Sequence, residues 1–349
     1  MQVVILAGGR GERLQPLTAR LPKPLIPFFD QPLLGYQLDH LAAQGIDEAF
    51  ITAGHLGDAI TRFAAQSRTG IRLHVVQEDS ARGTAGAVAD LAPVLRSPFL
   101  VVSGDAVLDL DLQCLLDVHH DVEALATICT APVAERLRFG YAEVREAVVT
   151  RFAEKPSLDE LTPGMAVNTG CYLLEAETLR YCGSNCAPDF ARDVFPAILG
   201  AGHRIGAAPA LRFWRDIGTP TAYRDAQLEA VVGHWPWKSP PSARPTYVGC
   251  NAEIIGPVHL GPGVLIGAYA RIVGPAYLGA RSTVGPHAVV TRSVLLAGAE
   301  VGAGTCLSES VVDESVHVPT GLALGAALVA GALAHPGATL PPLLVALGA

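Results

Sequence analysis

The chain is 349 residues long and half apolar by count, enough for a large core and more than one ordinary domain needs, so two domains are expected. Acids outnumber bases 33 to 25 and the net charge is -8, which excludes a general basic field for nucleic acid or an anionic membrane; any anionic ligand must be held by local cations. The opening MQVVILAGG has no charged leader and an apolar run of strand length, and the seven cysteines are scattered, with only Cys182 and Cys186 close together, so a reduced, cytoplasmic protein without signal peptide or membrane span is expected.

Residues 1–234 alternate strand-like and helix-like runs, the order that predicts an α/β domain with a doubly wound, Rossmann-like parallel sheet covered on both faces. QVVILA reads as a buried strand and LLGYQLDHLAAQG as a helix ended by Gly45. EAFITAG, IRLHVVQ and FLVVSGD read as further strands, separated by helices at DAITRFAAQ and TAGAVADLAPVL. Beyond residue 130 come shorter strands, YAEVRE, VVTRFAEKP and AVNTGCYLLE, expected to build a wall over the sheet edge beside a second substrate. Helices are expected around DFARDVFPAIL and PTAYRDAQLEAVV.

The proline-rich stretch 235–247 forbids regular structure and reads as a linker. From 248 the period changes. Val248, Ile254, Leu260, Ile266, Ile272, Leu278, Val284 and Val290 recur every sixth position, with a small or medium residue four places after each from Ala252 to Ala288. A strict hexad with one large and one small inward column predicts a parallel β-helix over 248–325, and excludes an amphipathic helix. The register slips near Val294 and resumes through Leu295, Val301 and Leu307, which leaves room for about four coils. Such a short stack has open ends, so a homo-oligomer is expected, with the uncharged tail 326–349 packed on the coil or on a neighbouring subunit.

The run ILAGGRGERLQPLTARLPKP follows the first strand, where open α/β sheets bind ligands. Leu14 stands where a dinucleotide fingerprint needs its third glycine, and no Gly-Lys-Ser/Thr follows, so neither common phosphate motif applies. What remains is a nest of backbone N–H groups from Gly8, Gly9 and Gly11, with Arg13 and Lys23 arriving from a proline-stiffened segment, suited to a triphosphate. Asp105 ends another strand on the same edge, as a carboxylate for Mg²⁺ must, and Asp216 in FWRDIGTP is the candidate second ligand. Asp109 and Asp111 read as helix-capping acids. Taken alone, Glu154 and Lys155 are an exposed ionic pair, and Asn168 is a polar side chain in an apolar strand.

Together LAGGRGERLQPLTARLPKPLIP, GTAGAV, SGDAVLDLDL, FAEKP, VNTGCYLLE and FWRDIGTP resemble, in order, the nucleoside-diphosphate-sugar pyrophosphorylases, or sugar-1-phosphate nucleotidylyltransferases. The hexad tail resembles the left-handed β-helix many of them carry. The resemblance implies an enzyme that makes a nucleoside-diphosphate sugar and pyrophosphate from a nucleoside triphosphate and a sugar-1-phosphate. It implies that Gly8, Gly9, Gly11 and Arg13 hold the triphosphate, that Lys23 reaches its phosphates, and that Asp105 and Asp216 bind Mg²⁺. It further implies that Glu154 and Asn168 grip the sugar, that Lys155 meets its phosphate, and that Gly140 lets the sugar approach the backbone. Glu12 departs from the family, where threonine is commoner.

Base choice is expected where the strand ending at Gln77 and Glu78 meets the helix opening at Gly83 and Thr84. GTAGAV is similar to the corresponding run of mannose-1-phosphate guanylyltransferases, with Glu78 upstream as a candidate acceptor for guanine's ring N–H and amino groups. Gln77, in contrast, stands where pyrimidine-specific relatives place a base-pairing amide. GTP with mannose-1-phosphate is therefore the favoured pair, with glucose-1-phosphate thymidylyl or uridylyl transfer as the alternative. Two other classes compete: an acetyltransferase in the β-helix, which His259, His287 and His317 suggest but unbroken hexads oppose, and a non-catalytic nucleotide-sugar-sensing subunit, which has no need of Arg13, Lys23, Asp105, Lys155 and Asp216.

Overall fold

The structure is a computed structural model that describes residues 1–131, 139–154, 157, 162, 164–183, 187–237, 240–330 and 343–346, with no side-chain description for Glu154 or 343–346. In chain order the first elements are β1 (Gln2–Leu6), a small hairpin of β2 (Pro27–Phe28) and β3 (Gln31–Pro32), α1 (Leu33–Ala43), β4 (Glu48–Ala53), α2 (Gly57–Gln66), β5 (Arg72–Gln77), α3 (Gly83–Ala89) and β6 (Phe99–Ser103). They are followed by β7 (Ala106–Leu110), α4 (Leu112–Asp121), β8 (Ala126–Ala131), β9 (Gly140–Arg145), β10 (Val148–Glu154), β11 (Met165–Leu174), α5 (Phe195–Gly200), β12 (Ile205–Ala208), β13 (Leu211–Asp216) and α6 (Pro220–Val231). By packing, the chain falls into two compact units. The first is Met1–Arg10, Pro22–Pro24 and Leu34–Arg215; the second is Gly11–Leu21, Leu25–Leu33 and Asp216–Ala349.

The first unit is built on one nine-stranded sheet in the order β5-β4-β1-β6-β11-β8-β12-β10-β9. Only its first half is parallel throughout, as the alternation of strands and helices dictates: β1 pairs with β4 and β6, and β4 with β5. From residue 126 on, the strands do not form a separate wall. β11 pairs antiparallel with both β6 and β8, so the later strands extend the same sheet and make it mixed. Local signals set the element ends. Gly45, at φ +86°, closes α1, and the Asp111 side chain accepts from the Cys114 N–H to cap α4. Asp111 is held below the usual carboxylate range by that backbone hydrogen bond and by Arg212. Asp109, expected as a second cap, lies inside β7 instead, 3.9 Å from His40 Nε2. α3 stops at Ala89, short of its expected end: Leu91 N and Ala92 N donate to carbonyls three residues back, Val88 O and Ala89 O, so the α ladder has tightened into turns before Pro93.

In the second unit three parallel sheets of five strands each wind a left-handed β-helix, one of them gaining an antiparallel sixth strand at Leu343–Ala346. The five coils exceed the expected four because the strands begin at Tyr247 and continue to Ala330, beyond the last hexad visible in the sequence. Beyond the first coil the inward residues Ile266, Ile272, Leu278, Val284 and Val290 are fully buried. Glycine follows several of these residues because the coils stack tightly there: a β-carbon on Gly267 would lie 2.5 Å from the backbone nitrogen of Pro286. Also in this unit, the β2–β3 hairpin is tied to the coil by the Tyr277 hydroxyl, which donates to Phe29 O at 2.7 Å, and to α6 by the Tyr223 hydroxyl, which donates to Pro27 O.

The register slip has a specific cause. Leu265 pairs with Thr283 and Thr283 with Glu300, so the second of these coils is one residue shorter. The missing residue belongs to one corner. In early coils that corner contains Gly256-Pro257 or Gly274-Pro275, and in later ones a buried serine, Ser293 or Ser310. Each serine hydroxyl donates to the carbonyl two residues back and accepts an N–H from the next coil: Ser293 from Ser310, and Ser310 from Ala327. Ser310→Ala leaves Ser308 O and the Ala327 N–H without this partner in the interior. It is expected to lower unfolding free energy by about 1–3 kcal/mol in denaturant titration, whereas Ser308→Ala, on the exposed side of the same turn, is expected to change it by under about 0.5 kcal/mol.

Candidate active site

Strand pairing in the first unit lines up residues that the sequence scatters. Leu6 at the end of β1 lies opposite Thr52 and Ser103, and Ala53 at the end of β4 lies opposite Gln77. On the other side of β6, Tyr172 of β11 lies opposite Val101, and a β-carbon on Gly170 would stand 3.7 Å from that of Ser103. Across this one edge, in strand order, come Gln77 and Glu78, then Gly54, then Gly8 and Gly9, then Ser103 to Asp105, then Asn168 to Gly170.

The glycines are there because groups approach closely. A β-carbon on Gly54 would lie 2.7 Å from Gly8 O, and one on Gly8 would lie 2.4 Å from Glu78 Oε1. Gly9 faces no atom within 4 Å, which leaves its side of the turn open to a ligand. The exposed Gln77 lays its amide against the end of β4, donating to Gly54 O at 3.1 Å, and its Oε1 would be 2.2 Å from a β-carbon on Gly57. Gly54 and Gly57 were not singled out from the sequence. Their signal is the run TAGHLG, in which a glycine closes a buried strand as Gly8 closes β1.

Asp105 occupies the turn between β6 and β7. The turn is held from behind: Gly104 N donates to Leu6 O at 2.9 Å, and the buried Gln37 amide donates to Ser103 O at 2.9 Å. Lys23 Nζ lies 2.5 Å from Asp105 Oδ2, and the Ser103 hydroxyl donates to Oδ1. Burial pushes the Asp105 carboxyl up, but the Lys23 charge and the hydrogen bonds from Lys23 and Ser103 outweigh it and hold the group below the usual carboxylate range. The Lys23 ammonium, expected on nucleotide phosphates, is thus engaged with the carboxylate expected to hold the metal.

Asn168 lies where the pairing of β11 with β8 shifts register, and its Oδ1 accepts from Gly170 N at 3.3 Å. Gly170 has φ +77°, and the Thr169 hydroxyl donates to Cys129 O at 2.7 Å. The bulge turns this stretch of β11 beside Ser103. Gly140 opens β9, its backbone paired with Glu154 of β10. Lys155 lies outside the described residues. Gly83, at φ +67°, opens α3 against the backbone of Ala187 and Pro188, and the Thr84 hydroxyl donates to Asp189 and accepts from the Phe190 N–H. Both residues therefore anchor the 187–190 segment, and the Thr84 hydroxyl is committed to it.

The remaining candidates belong to the second unit. Gly11, at φ +62°, accepts from the Thr18 hydroxyl and starts the short turn that carries Glu12 and Arg13. A β-carbon on Gly218 would lie 2.6 Å from Asp216 Oδ2 and 3.2 Å from Arg13 Nη2, so the carboxylate and the guanidinium border one glycine. Gly218 is a further residue the sequence reading passed over, although it stands within the quoted FWRDIGTP. Among the described residues no cluster of three or more His, Cys, Asp or Glu could hold a metal ion by itself, and no helix is long and apolar enough to cross a membrane.

Comparison with known proteins adds to this geometry. A model of nucleotidyl transferases matches residues 2–231, and one of bacterial transferase hexapeptides (six repeats) matches residues 257–292. The chain is 30% identical over 338 residues to a UTP–glucose-1-phosphate uridylyltransferase of Synechocystis, covering 89% of this chain and 87% of the relative. It is 30% identical over 329 residues to a mannose-1-phosphate guanylyltransferase of Mycobacterium tuberculosis, covering 92% and 82%. It is also 32% identical over 234 residues to a probable mannose-1-phosphate guanylyltransferase of Arabidopsis thaliana, covering 64% and 63%.

Gly54 and Gly9 separate packing from ligand access. Gly54→Ala meets a backbone oxygen that cannot turn aside, and is expected to cost about 1–3 kcal/mol of stability. Gly9→Ala is expected to leave stability within about 0.5 kcal/mol, so urea unfolding of the pair checks the assignment.

Proposed function

The chain belongs to the nucleotidyl transferase family, and from that premise we propose that it is a sugar-1-phosphate nucleotidylyltransferase that joins GTP to mannose-1-phosphate and releases pyrophosphate. The observation that carries this reading is the row along one sheet edge: an open glycine turn flanked by Glu78 on one side and by Asp105 and Asn168 on the other. The relatives named above support the reaction class, and two of those three carry the guanylyl name.

Chemically, a phosphate oxygen of the sugar-1-phosphate attacks the α-phosphorus of the nucleotide in line, and pyrophosphate leaves. That oxygen is already an anion, so no general base is required. The barrier is the repulsion of two polyanions, and the protein's work is positioning and charge neutralisation. The backbone amides of Gly8, Gly9 and Gly11, with Arg13, are proposed to hold the triphosphate. Glu154, Asn168 and Gly140 are proposed to receive the sugar, and Lys155 its phosphate. Nucleotidyl transferases generally use a divalent metal ion, and the residues present suit Mg²⁺, which takes one or two carboxylates and completes its shell with phosphate oxygens and water. Asp105, held ionised at a strand end, is proposed as one carboxylate and Asp216 as another. When bound, the ion withdraws charge from the phosphate oxygens.

Base selection is proposed to rest on Glu78, whose carboxylate lies against the glycine turn and can accept from guanine's ring N–H and amino groups. Gln77 supports it less, since its amide already donates to Gly54 O. The Synechocystis relative favours a second reading, UTP with glucose-1-phosphate. Pyrophosphate release measured with GTP, UTP and dTTP against mannose-1-phosphate and glucose-1-phosphate decides between them. GTP with mannose-1-phosphate is expected to give the highest kcat/KM, and Glu78→Gln to lower that preference by about tenfold or more, the effect of one charge-assisted hydrogen bond. A higher kcat/KM for UTP with glucose-1-phosphate selects the second reading.

A homo-oligomer formed through the β-helix is also proposed. In the first coil the inward residues Val248 and Ile254 are 45% and 41% exposed, with Tyr247 beside them at 57%, so the stack begins on an apolar, uncovered end. Removal of the chain from Pro240 onward is expected to change the solution mass by more than the deleted residues account for, as read by light scattering. A mass that falls only by those residues counts against it.

A further inference from the structure

Both oxygens of the carboxylate proposed for Mg²⁺ are taken. Lys23 Nζ is 2.5 Å from Asp105 Oδ2, and the Ser103 hydroxyl holds Oδ1. A magnesium ion binds a carboxylate oxygen at about 2 Å, so an ion on Oδ2 would stand against a full positive charge at contact distance. The ammonium and the metal therefore compete for this oxygen.

Lys23 is not a surface lysine that happens to fold over. It is 7% exposed and lies between Pro22 and Pro24. Pro24 Cγ stands 3.3 Å from where a β-carbon on Gly104 would be, next to Asp105 in the same turn. The turn itself is pinned by Leu6 O and by the Gln37 amide. The backbones on both sides of the pair are thus fixed, and the freedom that remains is in the lysine's four-carbon stem.

We propose that Lys23 is a resident counterion that closes Asp105 to free divalent metal, and that the ion gains Oδ2 only when nucleotide phosphates arrive to take over the ammonium. In the exchange the carboxylate trades an internal monovalent cation for a divalent one, and the ammonium trades a carboxylate for a phosphate. Every charge keeps a partner, but neither trade is favourable without the other. Metal and nucleotide are thereby coupled, each raising the affinity of the other. Lys23 acts here as a positioning residue for the metal before it serves the phosphates. The proposal rests on the reading of Asp105 as a metal carboxylate.

The test uses Mn²⁺ alone, titrated into the full chain without nucleotide and followed by the paramagnetic signal of the free ion. Lys23→Met keeps the stem and removes the charge. It is expected to bind Mn²⁺ about tenfold or more tightly than the wild type, and the double variant with Asp105→Asn is expected to lose that gain. Equal affinity of wild type and Lys23→Met, or a gain that survives Asp105→Asn, overturns the proposal. If Lys23→Met does not fold, Lys23→Gln is held to the same criterion. The wild type supplies an independent reading: Mn²⁺ bound without nucleotide as tightly as with it also overturns the proposal. Metal-dependent turnover that is lost in Asp105→Asn tests the underlying reading separately, so failure of one is distinguishable from failure of the other.

Discussion

Parallel hydrogen bonding of β1 to β4 and β6 is the constraint on which the first unit depends. Parallel strands cannot be joined by tight turns, so each must leave the sheet by a longer crossover, and all of them leave from the same edge. The groups that finish these strands are consequently neighbours whatever their distance along the chain: Leu6 stands beside Thr52 and Ser103. A polar residue placed at a strand end arrives at that edge without any further specification. β11 enters from the opposite direction, and its register shift at Asn168 brings a fifth strand to the same line.

Much of this was legible in the sequence because it follows from local rules. The hexads, the glycine that ends α1 and the aspartate that caps α4 each depend on a few adjacent residues. The glycine loop and Asp105 were legible because both sit immediately after buried apolar runs. Longer-range facts were not. That β11 joins the parallel sheet antiparallel depends on partners some seventy residues apart, Tyr172 with Val101, and no periodicity encodes it. Gly54 and Gly218 matter through what lies across from them, Gly8 O in one case and Arg13 with Asp216 in the other. The Lys23–Asp105 pair was hidden for the same reason: as separate residues, one reads as a phosphate binder and the other as a metal ligand, and their mutual contact changes what each is free to do.

Charge is arranged with corresponding economy. A protein of net charge -8 that binds two polyanions cannot rely on its overall field, which repels them. Backbone amides carry no net charge and keep their donors whatever the surroundings, so a glycine turn is suited to an acidic chain. Lys23, a cation expected at the phosphates, is kept inside rather than displayed. Such a site gains little from long-range attraction of its substrates and depends on fit at contact, which makes it less sensitive to ionic strength than a basic cleft.

The corner that loses one residue partway along the β-helix has a consequence for assembly of the chain itself. Stacked repeats of equal length are interchangeable: a nascent coil can pair one step too early or too late and still bury its aliphatic column. Here the early coils turn on glycine and proline and the later ones on a buried serine that needs another serine or an alanine N–H one coil away. A coil displaced across that boundary would set a longer corner on a shorter one and strand the serine hydroxyls in apolar surroundings. The change of corner thus works as an index mark, fixing which coil follows which in a repeat that would otherwise permit slippage.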